Sequence, residues 1–215
     1  MTLKLNEDLD FLRAKIWSMI GPMLDYILDL DKRLFVLINS QWTASWADLF
    51  FPNITDLHKT FWFKIIVVPL VAGLFIWRRG VKKGLTILFF CVMSLIISDA
   101  VGNYAFKQTV QRPRPAETQN LQVQLRSPAG GYSFVSNHAT NMFNFAAFTS
   151  TIFPAVTIPT YLIAFLVAYS RVYNGVHFPT DVICGGLLGV VFGLLFAKLC
   201  LKVLARLNAK EAKAI

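Results

Sequence analysis

The sequence is poor in residues that build a metal centre or a disulfide framework. It has three cysteines, and each of them, Cys91, Cys184 and Cys200, lies inside an apolar run without ligand spacing. Cysteines in such runs behave as small buried hydrophobic residues. The N-terminus alternates acids and bases where a secretory signal needs an unbroken apolar run, so we expect no cleaved targeting peptide. Cysteine-based metal sites and a secreted disulfide scaffold are therefore excluded.

Charged residues are scarce as well, and acidic ones most of all. Charged residues make up 15% of the chain, with 12 acidic residues against 21 basic ones and a net charge of +9. Hydrophobic residues make up 55%, which is more than a soluble domain carries. The composition therefore predicts an integral membrane protein, whose partner is the bilayer and not nucleic acid. It gives no signal about the oligomeric state.

Long apolar runs occupy most of the chain after residue 60. The segments near 61–77, 84–106, 138–156, 157–173 and 180–203 are each long and apolar enough to cross a bilayer as a helix. The prolines between the third and fourth segments favour a tight helical hairpin. We therefore predict an all-α integral membrane helical bundle with five transmembrane helices.

The first 60 residues follow a different pattern. Apolar residues recur at helical spacing, and charged residues interrupt any spanning run; the apolar positions are Leu12, Ile16, Met19, Ile20, Met23 and Ile27. This pattern is typical of an amphipathic helix on the membrane surface or against the bundle, and Gly21-Pro22 predicts a break in it. A sixth, weakly hydrophobic crossing is the alternative. We divide the chain into an N-terminal interfacial region 1–60, a transmembrane domain 61–205 and a basic tail 206–215.

Basic residues predict the orientation of the bundle. They crowd the loop at 78–83 and the end of the chain at 198–213. Because cytoplasmic loops are enriched in Lys and Arg, both regions are expected in the cytoplasm. The loop 107–137 and the segment 170–181 then lie on the opposite face. We expect a multi-pass protein of a bacterial inner membrane whose polar face looks toward the periplasm or the outside.

Three polar clusters lie on that face, at the ends of hydrophobic segments. They read "KQTVQRPRP" at 107–115, "YSFVSNHAT" at 132–140 and "SRVYNGVHFPTD" at 170–181. Their ionisable or nucleophilic members are Lys107, Arg112, Arg114, Ser136, His138, Arg171, His177 and Asp181. Guanidinium and ammonium groups bind phosphate oxygens, and a helix start adds free N–H groups and a favourable dipole. The clusters therefore predict an oxyanion site.

Two histidines give this oxyanion site the groups that phosphoryl transfer needs. Asp181 follows His177 by four residues across the first turn of the last helix, so it can fix the tautomer of that imidazole. We therefore predict His177 as the nucleophile and His138 as the general acid. One carboxylate among many cations disfavours Mg²⁺ or Zn²⁺, so we expect neither a metal nor another cofactor.

Each of these residues taken alone also has an ordinary structural explanation. Lys107 and its neighbouring arginines could be interfacial charges, His138 a polar residue at a helix start capped by Ser136, and His177 with Asp181 a paired contact. A second class of function is a transporter or scaffold that uses the cations only to hold anionic lipid headgroups. That alternative explains the positive charge but not the two histidines.

The three clusters resemble the signature of the type 2 phosphatidic acid phosphatase superfamily, which includes bacterial acid phosphatases and vanadium haloperoxidases. The family pattern is K-x6-R-P, then P-S-G-H, then S-R-x5-H-x3-D. The first motif is matched by Lys107 with Arg114-Pro115, and the third by Ser170-Arg171, His177 and Asp181. The middle motif departs from the pattern and reads Val135-Ser136-Asn137-His138. Because Asn tolerates the left-handed backbone that Gly would supply, we expect the phosphate-cradling turn to persist.

The resemblance implies a role for each residue of the motifs. It implies that phosphate is bound by Lys107, Arg114, Arg171 and Ser136. It also implies that His177 forms a phosphohistidine, that Asp181 orients His177, and that His138 serves the leaving group. The expected function is an integral membrane lipid phosphatase whose charged site lies at the mouth of the bundle because its substrate is half in the bilayer.

Among the lipid substrates that the family implies, we expect undecaprenyl diphosphate, hydrolysed to undecaprenyl phosphate. The loop 107–137 is short for enclosing the sugar headgroup of lipid A. A diphosphate needs extra positive charge beyond the scissile bond, and we expect Arg112 or Arg126 to contact the second phosphate. The alternatives are a lipid A 1-phosphatase and a phosphatase of phosphatidylglycerol phosphate or phosphatidic acid.

Overall fold

The computed structural model describes the backbone of residues 2–213 and the side chains of residue 15 and residues 18–212. Throughout this part of the chain the regular secondary structure is helical, which confirms the predicted all-α class. The α-helices are α1 (Thr2–Val36), α2 (Ser45–Asp56), α3 (Val68–Arg79), α4 (Val81–Ala100), α5 (Gln108–Val110), α6 (Asn137–Ile152), α7 (Thr157–Tyr173) and α8 (Pro179–Lys213). Short π-helical segments precede α3 and follow α1 and α4, at Phe63–Val67, Leu37–Gln41 and Val101–Lys107.

Several helices are long and apolar enough to cross a membrane. Three segments qualify, at Val81–Glu117, Pro154–Tyr173 and Pro179–Ala212. A fourth qualifies if the pair Ser45–Lys59 and Phe63–Arg79, bent by 58°, forms one broken span. The predicted membrane bundle is therefore confirmed, but the predicted number of five spans is not. The difference arises at two predicted segments. The segment 61–77 qualifies only as part of the bent pair, and at 138–156 the helix has only 16 residues and carries several Asn and Thr side chains.

This short helix, α6, is the centre of the bundle. It packs against α8, α7 and α4. Glycines on α8 let α6 approach closely, since a Cβ atom at Gly189 would lie 2.2 Å from the Thr140 carbonyl oxygen and one at Gly193 would lie 2.5 Å from that of Asn144. The Asn144 side chain in turn donates to the Ser98 hydroxyl and accepts from that of Ser94 on α4. The core helix therefore holds α8 and α4 in fixed positions, and the active site is built from the ends of these helices.

Gly189→Ala should lower the stability of the bundle because the added methyl group overlaps the α6 backbone. Overpacking of this kind costs about 1–3 kcal/mol, so the apparent Tm in detergent should fall by about 2–12 °C. Gly73→Ala on α3 is the matched control, since no heavy atom lies within 4 Å of its added Cβ. Equal melting temperatures for the two variants would contradict the close α6–α8 contact.

The first helix of the N-terminal region is continuous across Gly21-Pro22. The predicted break at Gly21-Pro22 is wrong, because α1 runs from Thr2 to Val36 with Pro22 inside it. Proline removes one backbone donor, and Pro22 is exposed, so the carbonyl that loses its partner lies at the helix surface. The side chains of Leu12 and Ile16, predicted on the apolar face, lie outside the described residues, as do Ala214 and Ile215 of the predicted basic tail.

The second half of α1 reaches the polar end of the bundle. Phe35 is fully buried and packs with Val172 and Phe178. Asp31, one turn earlier, is 2% exposed. Apolar side chains earlier in the same helix, such as Met19 and Met23, remain exposed. The helix is therefore anchored at the polar end of the bundle by its last turns, whereas the sequence indicated only contact with the membrane surface or the bundle in general.

Candidate active site

The three polar clusters meet at one end of the bundle, where α6 and α8 begin and α7 ends. The Ser136 backbone N–H, just before α6, donates to the Asp181 carbonyl on α8 at 3.0 Å. The Ser133 hydroxyl donates to the Asp181 carboxylate. Arg114 lies in the loop between α5 and α6, and its Nη1 lies 3.5 Å from Nε2 of His177. Segments that are far apart in sequence thus form one polar cluster.

His177 and Asp181 face each other at the start of α8, as their spacing predicts. Nδ1 of His177 lies 3.6 Å from Oδ2 of Asp181, which is ion-pair distance and slightly beyond a hydrogen bond. The same carboxylate oxygen accepts from the Phe178 backbone N–H at 2.8 Å. Burial lowers the pKa of His177 to about 4 although Asp181 acts to raise it. The imidazole is therefore neutral at physiological pH, and a neutral imidazole has the lone pair that a nucleophile needs.

Two arginines are buried beside His177. Arg114 is held by backbone carbonyls, donating from Nε to Gly131 at 2.8 Å and from Nη1 to Val176 at 2.7 Å. Arg171, at the end of α7, is 4% exposed and donates from Nη1 to the Thr55 hydroxyl at 2.6 Å. Rigid guanidinium groups that are already desolvated are suited to binding an oxyanion.

Several buried polar atoms at this site have no hydrogen-bond partner among the described residues. They include Nε of Arg171, Oγ of Ser136, Nε2 of His138 and Nδ1 of His177. Buried polar groups are normally paired, because leaving one unpaired costs free energy. Lys107 is half-buried at the end of a π-helical segment, and its charge interacts with those of Arg114 and Arg171. Unpaired donors beside buried positive charge are suited to an oxyanion.

The middle motif holds its position in a way that the sequence did not indicate. Asn137 is the first residue of α6 and does not have the left-handed backbone expected for it; within the described residues, the non-glycine positions with positive φ are Gln111 and Asn120. Instead, the Asn137 side chain donates to Asp99 on α4 at 2.8 Å. The asparagine therefore joins the start of α6 to α4, with Ser136 extended just before the helix and His138 in its first turn.

The two arginines predicted to contact a second phosphate are occupied by protein groups. Arg126 forms an ion pair from Nε to Asp48 at 2.7 Å, and its Nη1 donates to the carbonyls of Asn39 and Tyr173. Arg112 forms ion pairs with Asp31 at 2.6 Å and with Asp181 at 2.7 Å. Because these carboxylates already neutralise both guanidinium groups, the predicted second-phosphate contacts gain no support from the geometry.

Residues from the N-terminal 60 also belong to the site, and sequence reasoning assigned them no role. Asp31 reaches Arg112, and Thr55 reaches Arg171. His58 places its ring 5.1 Å from that of His138, edge to face, while its Nδ1 lies 3.1 Å from the Thr55 carbonyl oxygen. No spacing rule in the sequence points to the contacts with Arg112, Arg171 and His138, because the partners lie more than 75 residues apart and meet through the packing of α1 and α2 on α7 and α8.

Known proteins are similar to the part of the chain that contains this site. The family model described as "PAP2 superfamily" matches residues 84–204. The chain is 32% identical to the lipid A 4'-phosphatase of Porphyromonas gingivalis, over 79% of this chain and 72% of that protein. It is 34% identical to the undecaprenyl-diphosphatase of Sulfolobus acidocaldarius, over 57% of each chain.

A solved structure shows the same architecture. The crystal structure of Aquifex aeolicus LpxE superposes with a TM-score of 0.59 at 29% sequence identity, covering 77% of this chain and 93% of that one. The family model spans more than half of the chain and includes all three polar clusters. The chain therefore belongs to the PAP2 superfamily and is a membrane-spanning lipid phosphatase.

Proposed function

We propose that this protein transfers the phosphate of its lipid substrate to His177 and then to water. Nε2 of His177 attacks phosphorus, the bond from phosphorus to the lipid oxygen breaks, and protonated His138 donates its proton to that oxygen. Burial and the positive charge of Arg171 lower the pKa of His138, so it takes up this proton when the negative charge of the substrate phosphate lies beside it. A water molecule then attacks the phosphohistidine with His138 as the base, which releases inorganic phosphate and restores His177. The cationic side chains stabilise the negative charge in both steps; they are Lys107, Arg114 and Arg171, with Ser136 as an additional donor.

One observation supports this mechanism above all others: a neutral, buried imidazole backed by Asp181 lies among donors that have no hydrogen-bond partner in the described part of the chain. A headgroup-binding protein without chemistry would need the cations but not an oriented histidine. Asp181 stabilises the positive charge that develops on His177 during the attack. Each proposed step uses side chains of this chain and water.

For the substrate, we favour a phosphate group of lipid A. The likeness to the Porphyromonas gingivalis lipid A 4'-phosphatase covers 79% of this chain and so includes part of the region before residue 84. That region supplies Thr55 and His58, which contact Arg171 and His138. In addition, both arginines that would meet the second phosphate of a diphosphate are paired with carboxylates. A phosphomonoester needs no such second cation.

Undecaprenyl diphosphate is the second candidate. It is favoured by the 34% identity to the Sulfolobus acidocaldarius undecaprenyl-diphosphatase, which is similar to this chain over 57% of its length. The loop 107–137 is also short, which suits a headgroup that is smaller than a sugar.

The two candidates predict different substrate preferences. With purified protein in one detergent, kcat/KM for lipid A should exceed that for undecaprenyl diphosphate by at least about tenfold, a margin of about 1.4 kcal/mol in transition-state binding. Released inorganic phosphate is measured for both lipids at matched mole fractions. A tenfold preference for undecaprenyl diphosphate would overturn the lipid A proposal and leave the histidine mechanism intact.

We also propose that the active site faces the periplasm of a bacterial inner membrane, since the cations at 78–83 and 198–213 favour a cytoplasmic position for the opposite end. A cysteine at Gln119, in the loop beside the site, should react in intact spheroplasts with a thiol reagent that cannot cross the membrane. A cysteine at Ala212 should react only after the membrane is permeabilised. Labelling in the reverse pattern would invert the orientation.

A further inference from the structure

Asp31 on α1 is a buried acidic side chain that lies outside the family motifs and accepts three hydrogen bonds. It is 2% exposed. Its Oδ1 accepts from the Thr180 backbone N–H at 2.8 Å, and its Oδ2 accepts from the Thr180 hydroxyl and from Nη2 of Arg112, both at 2.6 Å. Burying a carboxylate costs desolvation free energy unless donors satisfy its oxygens, and these three donors do so.

The same carboxylate also caps α8. Thr180 is the second residue of that helix, whose first N–H groups lack partners within the helix. An acidic side chain at a helix N-terminus satisfies such a donor and interacts favourably with the dipole. Here the capping group comes from α1, 149 residues away. Asp31 is therefore attached to the helix turn that carries Asp181.

Arg112 connects Asp31 to Asp181. Its Nη1 donates to Oδ1 of Asp181 at 2.7 Å and its Nη2 donates to Oδ2 of Asp31 at 2.6 Å, so one guanidinium group joins the two carboxylates. The group is further held over the Phe178 ring, with 4.1 Å between its Cζ and the ring centroid. Arginine suits this bridge because its planar fork offers several donors in fixed directions.

A second contact holds α1 against the same turn. Phe35 is four residues after Asp31 and so lies on the same face of the helix. Its ring packs on that of Phe178, with 5.4 Å between the centroids. An ion pair and an aromatic contact on adjacent turns thus fix α1 directly against the segment that contains His177 and Asp181.

The bridge matters because Oδ1 and Oδ2 of Asp181 have different partners. Oδ1 is held by Arg112, whereas Oδ2 accepts from Ser133 and the Phe178 N–H and faces Nδ1 of His177 at 3.6 Å. Holding Oδ1 fixes the rotation of the carboxylate and so the direction of Oδ2. We propose that Asp31 is a positioning residue for the His177–Asp181 pair and acts on it through Arg112. This inference rests on the proposed function, in which Asp181 orients the nucleophile.

The test is a double-mutant cycle with Asp31→Asn and Arg112→Gln. Each single substitution should lower kcat by about tenfold to a hundredfold and leave KM within about twofold, because orientation of the nucleophile acts on the chemical step. The double variant should be no worse than Arg112→Gln alone, since both substitutions break the same bridge. Asp29→Asn is the matched control, because Asp29 is exposed and pairs with Arg33 on its own helix; kcat should not change.

Three results would overturn the proposal. One is a kcat within about twofold of wild type for Asp31→Asn, and another is a double variant whose loss is the product of the two single losses. The third is a raised KM with unchanged kcat, which would make Arg112 a substrate contact. A purely structural cap would lower the melting temperature and leave kcat of the folded fraction unchanged, so kcat is measured on monodisperse protein only.

Arg112→Lys keeps the proposal testable if Asp31→Asn does not fold. Lysine retains the charge, but a single ammonium group cannot hold both carboxylates in the geometry of the guanidinium fork. This variant should show the same loss of kcat with KM within about twofold, and a kcat near wild type would refute the bridge.

His177→Asn distinguishes failure of the proposed mechanism from failure of the positioning role. If it stays active, the proposed mechanism fails; if it is inactive while the bridge variants keep full kcat, only the positioning role fails.

Discussion

Replacing His177 with Asn should reduce phosphate release from the lipid substrate by about a thousandfold or more. Asparagine keeps a polar side chain of similar size beside Asp181 but cannot form a covalent bond to phosphorus under these conditions. Burial lowers the pKa of His177 to about 4, so wild-type protein at neutral pH holds the uncharged imidazole, and protonation below that pH should remove the nucleophile. The measurement is inorganic phosphate released in detergent at saturating substrate.

The interpretation of this variant depends on its folding. His177 lies in the turn before α8, so the elution volume and melting temperature of the variant are compared with those of wild type. Arg33→Lys on the exposed surface of α1 serves as the matched control and should keep full activity. If folded His177→Asn retains more than a few per cent of wild-type kcat, a different group attacks phosphorus.

Arg171→Lys should lower kcat/KM by about a hundredfold, comparable to the loss of one donor from an oxyanion hole. Arg171 holds Thr55 with Nη1 and leaves Nε without a protein partner, so one part of the guanidinium group is anchored and another is free for phosphate. Lysine keeps the positive charge but loses the fork that can satisfy both partners.

Whether the loss caused by Arg171→Lys falls on kcat or on KM is as informative as its size. The Arg171 guanidinium group stabilises negative charge on the oxygens of the transferring phosphoryl group in the transition state. Most of the loss should therefore fall on kcat, with a smaller change in KM. Thr55→Val removes the anchor and keeps the arginine, so its loss should be smaller than that of Arg171→Lys. Equal activities of Arg171→Lys and wild type would show that Arg171 does not bind the transferring phosphate.

The local part of the site was predictable from the sequence. Residues four apart at a helix start lie on one face, so the spacing of His177 and Asp181 predicted their proximity, and the structure places them 3.6 Å apart. The ends of apolar segments must lie at the membrane boundary, which predicted that the three polar clusters could meet there. Arg114 and Ser133 do contact His177 and Asp181 across the loop.

The tertiary partners were not predictable in the same way. Arg112 and Arg126 look like free cations in the sequence, because the carboxylates that pair with them, Asp31 and Asp48, lie 81 and 78 residues away. The sequence also did not predict that α1 continues through Pro22. Proline on average breaks a helix, but Pro22 is exposed, and Asp31 farther along the same helix is held by Arg112.

The environment of the short central helix α6 was also not predictable from its hydrophobic pattern. Polar residues such as Asn144 would be costly in a lipid-facing helix, but in α6 they are buried against Ser94 and Ser98 of α4. Hydropathy alone cannot distinguish a helix that faces lipid from one that faces protein. The five-span prediction treated α6 like the other apolar segments, although α6 has 16 residues and pairs polar side chains with α4.

Direct trapping of the phosphorylated protein tests the central claim that His177 carries the phosphate. Protein is mixed with lipid substrate labelled with radioactive phosphorus, quenched in alkali within milliseconds to seconds, and digested for peptide mapping. The account predicts a label that is stable in alkali, labile in acid and located on the peptide that contains His177, and none in His177→Asn. Full turnover by wild type with no such label at any quench time, or a label on a different residue, would contradict it.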